Sequence, residues 1–190
     1  MVARTAPIGF VVVVQRVSTE SGNPHTTVLG VDDGGSQLME RDFKDMLSAF
    51  SDEAVEYLLV GAHAMAVHGC PRATQDIDFW VRPSPQNAKR VFRALAVFGA
   101  PLESVAAQDF ENPGTIFQIG LPPLRIDIIT SIDGVEFDEA WQNRLEIVLD
   151  GLAAMVIGRE ELLKNKKSTG RPKDVGDAKL LEKQKADEKS

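Results

Sequence analysis

The hydrophobic pattern of this chain becomes regular near residue 39. Between residues 39 and 50, Phe43, Leu47 and Phe50 recur at the spacing of one helix face, which predicts an amphipathic helix. After this helix, short apolar runs alternate with helical patterns. The predicted strands are residues 57–60, 76–81, 115–119 and 124–130, and the predicted helices are residues 62–68, 85–98 and 137–143. An Asp-Gly pair at 150–151 predicts a hairpin turn, and the C-terminus is predicted to be helical with a break at residues 170–172.

Strands mixed with helices predict an α/β (α+β) fold, in which helices flank a mixed β-sheet and the C-terminus is helical. Residues 1–38 contain a short valine run followed by a stretch rich in Ser, Thr, Gly and Asp, and they show no sustained period. We therefore expect a flexible extension over residues 1–38, a single domain over residues 39–185 and a tail at residues 186–190. The alternative is that residues 10–17 and 26–31 form a β-hairpin added to a sheet edge.

Composition and charge exclude several classes of protein. The chain has 190 residues, enough for one domain with a sizeable core, and a net charge of −7. Residues 159–190 contain ten basic and seven acidic residues, a balance of +3 that leaves −10 for residues 1–158. This distribution predicts no broad nucleic-acid-binding face. The single cysteine favours a reducing compartment, and no apolar run approaches the ~20 residues of a membrane span, so we expect a cytoplasmic protein.

Three aspartates in predicted strands carry the strongest chemical signal. Asp76 and Asp78 are two residues apart in one strand, so their side chains share a face, with about 7 Å between the Cα atoms. Two such carboxylates repel each other unless a cation lies between them, and hard divalent ions, above all Mg²⁺, prefer oxygen ligands. Asp127 adds a third carboxylate from a second apolar strand, "LRIDIIT". The three side chains predict a two-metal site for phosphoryl chemistry.

A glycine precedes this pair at the point where a strand turns into a helix. Gly61 lets backbone N–H groups approach an anion at such a turn.

The segment "LLVGAHAMAVHGCPRATQDIDFWV" resembles the signature of the nucleotidyltransferase superfamily related to DNA polymerase β, in which a Gly-Gly or Gly-Ser turn precedes an Asp-x-Asp strand. Together with the C-terminal "LLKNKKSTGRPKDVGDAKLL", it is similar to the small prokaryotic branch that includes AbiEii-type toxins and minimal nucleotidyltransferases. The resemblance covers residues 57–181 and implies a nucleotidyltransferase-like sheet.

The resemblance also implies roles for individual residues. Asp76 and Asp78 would ligate two Mg²⁺ (or Mn²⁺) ions, and Asp127 would hold the catalytic metal and help to prepare the attacking hydroxyl. The implied nucleotide-binding residues are Gly61 and Ala62 at the triphosphate, Lys166 with Arg171 or Lys173 at the phosphate charges, and Arg72 and Thr74, which position the loop or touch the substrate. Ala62 departs from the family pattern, because a second Gly or a Ser is expected there. Backbone donation survives this change, but a side-chain hydroxyl contact does not.

The implied function is transfer of a nucleoside monophosphate from an NTP to an acceptor hydroxyl. The acceptor could be RNA, a protein or a small molecule, and the resemblance to toxins favours a macromolecular acceptor and a toxin–antitoxin system with a cognate partner. The alternative is a catalytically degenerate module of the same fold with a binding or regulatory role. Ala62 favours this alternative, whereas the three intact carboxylates disfavour it. An Asp-x-Asp phosphohydrolase is disfavoured, because Trp80 occupies a position where Thr or Val is typical.

Overall fold

The computed structural model describes residues 12–16, 35–74, 76–121, 124–149 and 151–187, and for residues 12–16, 35–40, 121 and 124 the backbone alone. These residues form strands and helices in alternation, with a short 3₁₀ helix at Ala107–Phe110. The strands are β1 (Val12–Arg16), β2 (Tyr57–Leu59), β3 (Asp76–Val81), β4 (Thr115–Leu121), β5 (Leu124–Ile129), β6 (Leu145–Leu149) and β7 (Leu152–Val156). The helices are α1 (Gly35–Asp52), α2 (Gly61–Val67), α3 (Pro85–Phe98), α4 (Phe137–Gln142), α5 (Arg159–Ser168) and α6 (Pro172–Asp187).

All the described strands belong to one mixed sheet with the order β1-β4-β5-β3-β2-β7-β6. The pairs β3–β5 and β2–β7 are parallel, and the remaining neighbours are antiparallel. The parallel pair β3–β5 lies inside the sheet, where both strands are hydrogen-bonded on both sides. The predicted fold, a mixed sheet with helices and a helical C-terminus, is confirmed.

The two faces of β3 have different surroundings, and this difference positions the site. Ile77, Phe79 and Val81 are buried on one face of the strand. Phe79 packs against the rings of Phe50 and Tyr57, with centroid distances of 5.1 Å and 5.5 Å. This aromatic cluster anchors β3 to α1 and β2, so the side chains on the opposite face of β3 rest on a firmly packed strand.

Helix α3 shows how local sequence sets the boundaries of an element. The hydroxyl of Ser84 accepts a hydrogen bond from the backbone N–H of Asn87, and Pro85 occupies the first turn. Gly99 ends the helix in the left-handed conformation with φ of 91°. Val91 and Leu95, four residues apart on one face of the helix, are fully buried.

The N-terminal segment contains a strand inside the predicted extension. β1 pairs antiparallel with β4, from Val12 opposite Ile119 to Arg16 opposite Thr115, and so adds an edge strand to the sheet. The second strand of the alternative hairpin, residues 26–31, lies outside the described residues, as does Asp150 of the predicted hairpin turn. At the other end, α6 continues to Asp187, two residues into the predicted tail. The division into residues 1–38, 39–185 and 186–190 stays a prediction.

Within the described ranges, none of the helices combines the length and the apolar character needed to cross a lipid bilayer.

Candidate active site

The parallel pairing of β3 with β5 brings the three predicted aspartates together. Asp78 is the register partner of Asp127, and Asp76 is the register partner of Arg125. Residues two apart in a strand point to the same face, so Asp76, Asp78 and Asp127 share one face of the sheet. Asp127 is buried, whereas Asp76 is 39% exposed at its side chain. The result is a carboxylate cluster that is closed on the Asp127 side and open at Asp76.

Gly61 lies directly against this cluster. Its φ is +63°, and a Cβ atom added to it would lie 2.0 Å from Oδ2 of Asp78. A side chain at this position would therefore collide with the carboxylate, so both the backbone conformation and the space require glycine. The methyl group of the following Ala62 is buried in the core, with 3% exposure. The side chain of Ala62 therefore offers a ligand neither exposed surface nor a hydrogen-bond donor.

The charge of Asp78 is strongly disfavoured by its surroundings. Burial raises the pKa of Asp78 to about 6, and the nearby charges of Asp127 and Asp76 act in the same direction, against the opposing charges of Lys166 and Arg125. Burial also raises the pKa of Asp127, although hydrogen bonds from Arg125 and Gln118 oppose it. Asp78 is thus an anion in a partly closed cluster of anions, an arrangement that additional positive charge stabilises.

This electrostatic strain predicts a stability gain on removing the Asp78 charge. Because the pKa of Asp78 is raised in the folded protein, folding favours the protonated carboxyl. Its contribution to stability is therefore complete below the unfolded pKa near 4 and is lost as the pH rises through about 6. Without added metal, the free energy of unfolding of Asp78→Asn at pH 7.5 is expected to exceed that of wild type by about 1–3 kcal/mol. The melting temperature is expected to rise by several degrees. The difference is expected to vanish near pH 4. Thermal melts across this range measure it.

The exposed Asp133 provides the matched control for this measurement. Asp133→Asn makes the same chemical change outside the cluster, and we expect it to alter stability by less than about 0.5 kcal/mol at every pH. A destabilised Asp78→Asn protein at pH 7.5 would show that Asp78 is not strained by its neighbours.

Arg125, which the sequence reasoning did not select, supplies the positive charge closest to the cluster. Its Nε donates to Oδ1 of Asp127 at 2.7 Å, and its Nη2 donates to Oδ2 of Asp76 at 3.4 Å. Burial alone would lower the pKa of Arg125, but the hydrogen bond to Asp127 and the three neighbouring carboxylates raise it. Gln118 on β4 donates from Nε2 to Oδ2 of Asp127 at 3.1 Å. The position of Arg125 two residues before Asp127 is a signal that the sequence already contained.

Lys166, predicted to contact phosphate, pairs with two buried carboxylates of α6. Its Nζ lies 2.6 Å from Oδ1 of Asp174 and 3.2 Å from Oδ2 of Asp177, and its side chain is 6% exposed. Arg171 also pairs with Asp174, at 2.5 Å, although 71% of its side chain is exposed. Burial alone would raise the pKa of Asp174, but hydrogen bonds from Lys166, Thr169 and Arg171 lower it to about 2. Lys166 still influences the cluster on the sheet, because its charge lowers the pKa of Asp78.

The remaining predicted residues lie on the loop before β3 and on α6. Nε of Arg72 lies 3.5 Å from Oδ1 of Asp177, so this loop is tied to the same ion cluster as Lys166. The hydroxyl of Thr74 bonds to the backbone N–H and C=O of Asp76, both at 3.3 Å, and thereby fixes the start of β3. Lys173 is exposed on α6. These contacts support a role of Arg72 and Thr74 in positioning the loop, and a contact of either residue with the substrate stays a prediction.

The donor chemistry of the three aspartates fits a hard divalent cation, because all three are carboxylates and Asp78 is destabilised by its neighbours. Over the described residues, however, no group of three or more His, Cys, Asp or Glu side chains is arranged to hold a metal ion. Arg125 bridges two of the three carboxylates. The three carboxylates therefore match Mg²⁺ or Mn²⁺ in donor type but not in arrangement, and Arg125 is the cation that contacts two of them.

Comparison with solved structures identifies the fold. The solution structure of the antibiotic-resistance factor ANT(2'')-Ia matches with a TM-score of 0.51 and 15% identity, over 76% of this chain and 82% of that chain. The crystal structure of ANT(2'')-Ia in complex with adenylyl-2''-tobramycin matches with a TM-score of 0.50 and 16% identity, over 76% of this chain and 88% of that chain. A putative nucleotidyltransferase from Thermotoga maritima also matches, with a TM-score of 0.48 and 14% identity, over 79% of this chain and 94% of that chain.

The chain therefore shares the fold of ANT(2'')-Ia. No family model and no curated protein sequence matches it.

Proposed function

We propose that this protein is a metal-dependent nucleotidyltransferase, which transfers a nucleoside monophosphate from an NTP to an acceptor hydroxyl. The observation that carries the proposal is the register of β3 and β5, which places Asp78 opposite Asp127 on the face that also bears Asp76. The fold shared with ANT(2'')-Ia supports it. The contact between Gly61 and Asp78 adds a backbone turn beside the carboxylates, where a triphosphate could approach.

In this proposal each residue has a limited task. Asp76, Asp78 and Asp127 hold Mg²⁺ or Mn²⁺, and Asp127 also orients the attacking hydroxyl. The bound ions would stabilise the charge that develops on the transferred phosphoryl group and the attacking oxygen. Gly61 and the backbone of Ala62 would lie beside the triphosphate, and the side-chain hydroxyl contact that Ala62 lacks is absent from this proposal. Lys166, Arg171 and Lys173 contribute positive charge on the α5–α6 side of the site.

The acceptor could be RNA, a protein or a small molecule. ANT(2'')-Ia was crystallised with adenylyl-2''-tobramycin, which favours a small-molecule acceptor by analogy of fold. The resemblance of the glycine turn and the Asp-x-Asp strand to AbiEii-type toxins favours a macromolecular acceptor, a toxin–antitoxin system with a cognate partner, and a cytoplasmic location. Incubation with labelled NTP and fractionated cell extract would distinguish these acceptors by the fraction that becomes labelled.

A second candidate function is a catalytically degenerate module of the same fold. Two observations favour it: the side chain of Ala62 is buried, and Arg125 bridges Asp76 and Asp127. Such a module would bind a partner or a nucleotide without turnover.

Binding of Mg²⁺ together with a non-hydrolysable NTP separates the two candidates. Ligands that bind only the native state stabilise it, by about 2.7 kcal/mol at a hundredfold excess over Kd. We expect the melting temperature to rise by about 5–10 °C with both ligands and by much less with either alone. Asp76→Asn is the control and is expected to lose most of this rise. No shift with any of the four NTPs at millimolar concentration would favour the degenerate module.

A further inference from the structure

Strand β6 forms one edge of the sheet and has an apolar sequence. It stands at the end of the strand order, and among the described residues no strand pairs with its outer side. Four of its five residues are apolar, and the side chains of Val148 and Leu145 belong to residues that are 73% and 42% exposed. Proteins usually cover such an edge or protect it with several charges, but β6 carries a single charged residue, Glu146. The edge is therefore a surface that fits a further strand.

The hydrogen bonds of β7 show which backbone groups of β6 point outward. Ile157, the residue after β7, donates its backbone N–H to a carbonyl of β2. The odd-numbered residues of β7 therefore bond to β2, and the even-numbered residues bond to β6. Ala154 is the register partner of Ile147, so the odd-numbered residues of β6 bond to β7. The backbone N–H and C=O groups of Glu146 and Val148 consequently point away from the sheet.

A second copy of β6 fits these outward groups in one register. When two antiparallel copies are centred on Ile147, Glu146 of each copy lies opposite Val148 of the other, and all the outward N–H and C=O groups are paired. On the other face, Ile147 meets Ile147 across the axis and Leu145 meets Leu149, which gives a continuous apolar row. Centring the pair on Glu146 instead would place two carboxylates directly opposite each other, which is unfavourable.

The charges that flank β6 in the sequence also suit a second copy. A basic residue, Arg144, precedes the strand, and an acidic residue, Asp150, follows it. Antiparallel alignment brings the start of each strand to the end of the other, so that unlike charges face each other on both sides of the axis. Pairing of β6 with β1 of another copy would also extend the sheet, but such a contact does not close and would produce open chains.

We propose that β6 is a dimer contact, through which two copies of this chain pair edge to edge about a two-fold axis at Ile147. The sheet then continues from one copy into the other. The carboxylate cluster of each copy lies on β3 and β5, and β3 is three strands from the contact, or about 14 Å. The proposed active site is thus outside the contact, and the inference does not depend on the proposed function.

The test is the mass of the full chain in solution, measured by sedimentation equilibrium from micromolar to millimolar concentration. Wild type is expected to show a reversible equilibrium between monomer and dimer, because a contact through one short strand is small. Val148→Glu places a carboxylate opposite Glu146 on both sides of the axis and is expected to raise the dimer Kd by about tenfold or more. Val97→Glu is the matched control, because Val97 is 59% exposed on α3 and the substitution adds the same charge. It is expected to change the Kd by less than about twofold.

Two further variants test the register. Val148→Lys places an ammonium group opposite Glu146 and is expected to keep or strengthen the dimer, whereas a mere loss of apolar surface would weaken it as Val148→Glu does. Glu146→Lys combined with Val148→Glu reverses the pair and is expected to restore the Kd of wild type. Because Val148 is exposed, these variants leave the core intact.

Three results would overturn the inference. One is a wild type that stays monomeric at millimolar concentration or that grows beyond the dimer. Another is a dimer that responds equally to Val148→Glu and Val97→Glu, because its contact would then lie elsewhere. The third is equal weakening by Val148→Glu and Val148→Lys, which would rule out the register centred on Ile147.

Discussion

Asp127→Asn is expected to keep the affinity for NTP and Mg²⁺ within about threefold of wild type and to lower turnover by about 10³-fold or more. Asparagine preserves the shape of Asp127, and its amide oxygen can still accept the hydrogen bond that Arg125 Nε now donates at 2.7 Å. What is lost is the negative charge beside the attacking hydroxyl, which acts chiefly in the transition state. Asp76→Asn is expected to weaken NTP–Mg²⁺ binding and to abolish transfer, because Asp76 would ligate both ions.

Two measurements separate these effects. Calorimetry gives the affinity for a non-hydrolysable NTP with Mg²⁺, and incorporation of labelled nucleoside monophosphate into RNA, protein and small-molecule fractions gives the rate. Asp133→Asn, an exposed aspartate outside the cluster, is the control and is expected to match wild type in both. Near-normal incorporation by Asp127→Asn would show that Asp127 is only structural and that the three-carboxylate assignment is wrong.

Local patterns in the sequence were sufficient to predict most of the elements. β3 and β5 combine an apolar alternation with charged residues at fixed positions, and α3 has a Ser84 cap, an apolar stripe and a terminal Gly99, so each element is specified by residues close together in the chain. The parallel pairing that sets Asp78 opposite Asp127 depends on residues far apart in sequence. The resemblance implied that the three aspartates meet, but the register could come only from the structure.

The same distinction explains what the sequence reasoning missed. β1 lies within residues 10–17, which the alternative interpretation had assigned to a strand at a sheet edge, but the short valine run gives no local sign that its partner is β4, far along the chain. Gln118 reaches Asp127 only because β4 and β5 are adjacent and antiparallel. Arg125 is different, because its spacing of two residues from Asp127 on a predicted strand already placed both side chains on one face. That signal was present and was not used.

The structure adds a folding role for Lys166 to the ligand-binding role that the resemblance implies. In sequence it belongs to a basic cluster near the end of a helix, which fits either a solvated surface or a phosphate contact. In the structure it is buried between Asp174 and Asp177, because the break at residues 170–172 folds α6 back against α5. The phosphate contact of Lys166 stays a proposal. We expect Lys166 to contribute to folding through its two ion pairs.

Lys166→Ala is expected to destabilise the fold by about 3–5 kcal/mol, because it leaves two buried carboxylates without their shared cation. Its neighbour Lys167 is the matched control: it pairs with Glu182 at 2.5 Å, but both side chains are about half exposed. Lys167→Ala is therefore expected to cost less than about 1 kcal/mol. Urea unfolding of both variants measures the difference.

A compensated variant shows whether the loss comes from unpaired charge. Lys166→Met combined with Asp174→Asn and Asp177→Asn removes the cation and both buried anions, and it is expected to recover a large part of the stability lost in Lys166→Ala. Comparison of its NTP affinity with that of wild type then tests the phosphate contact of Lys166 in a folded protein. If Lys166→Ala instead unfolds at the same urea concentration as Lys167→Ala, the buried ion cluster does not hold α5 and α6 together. The role of Lys166 would then lie in ligand binding.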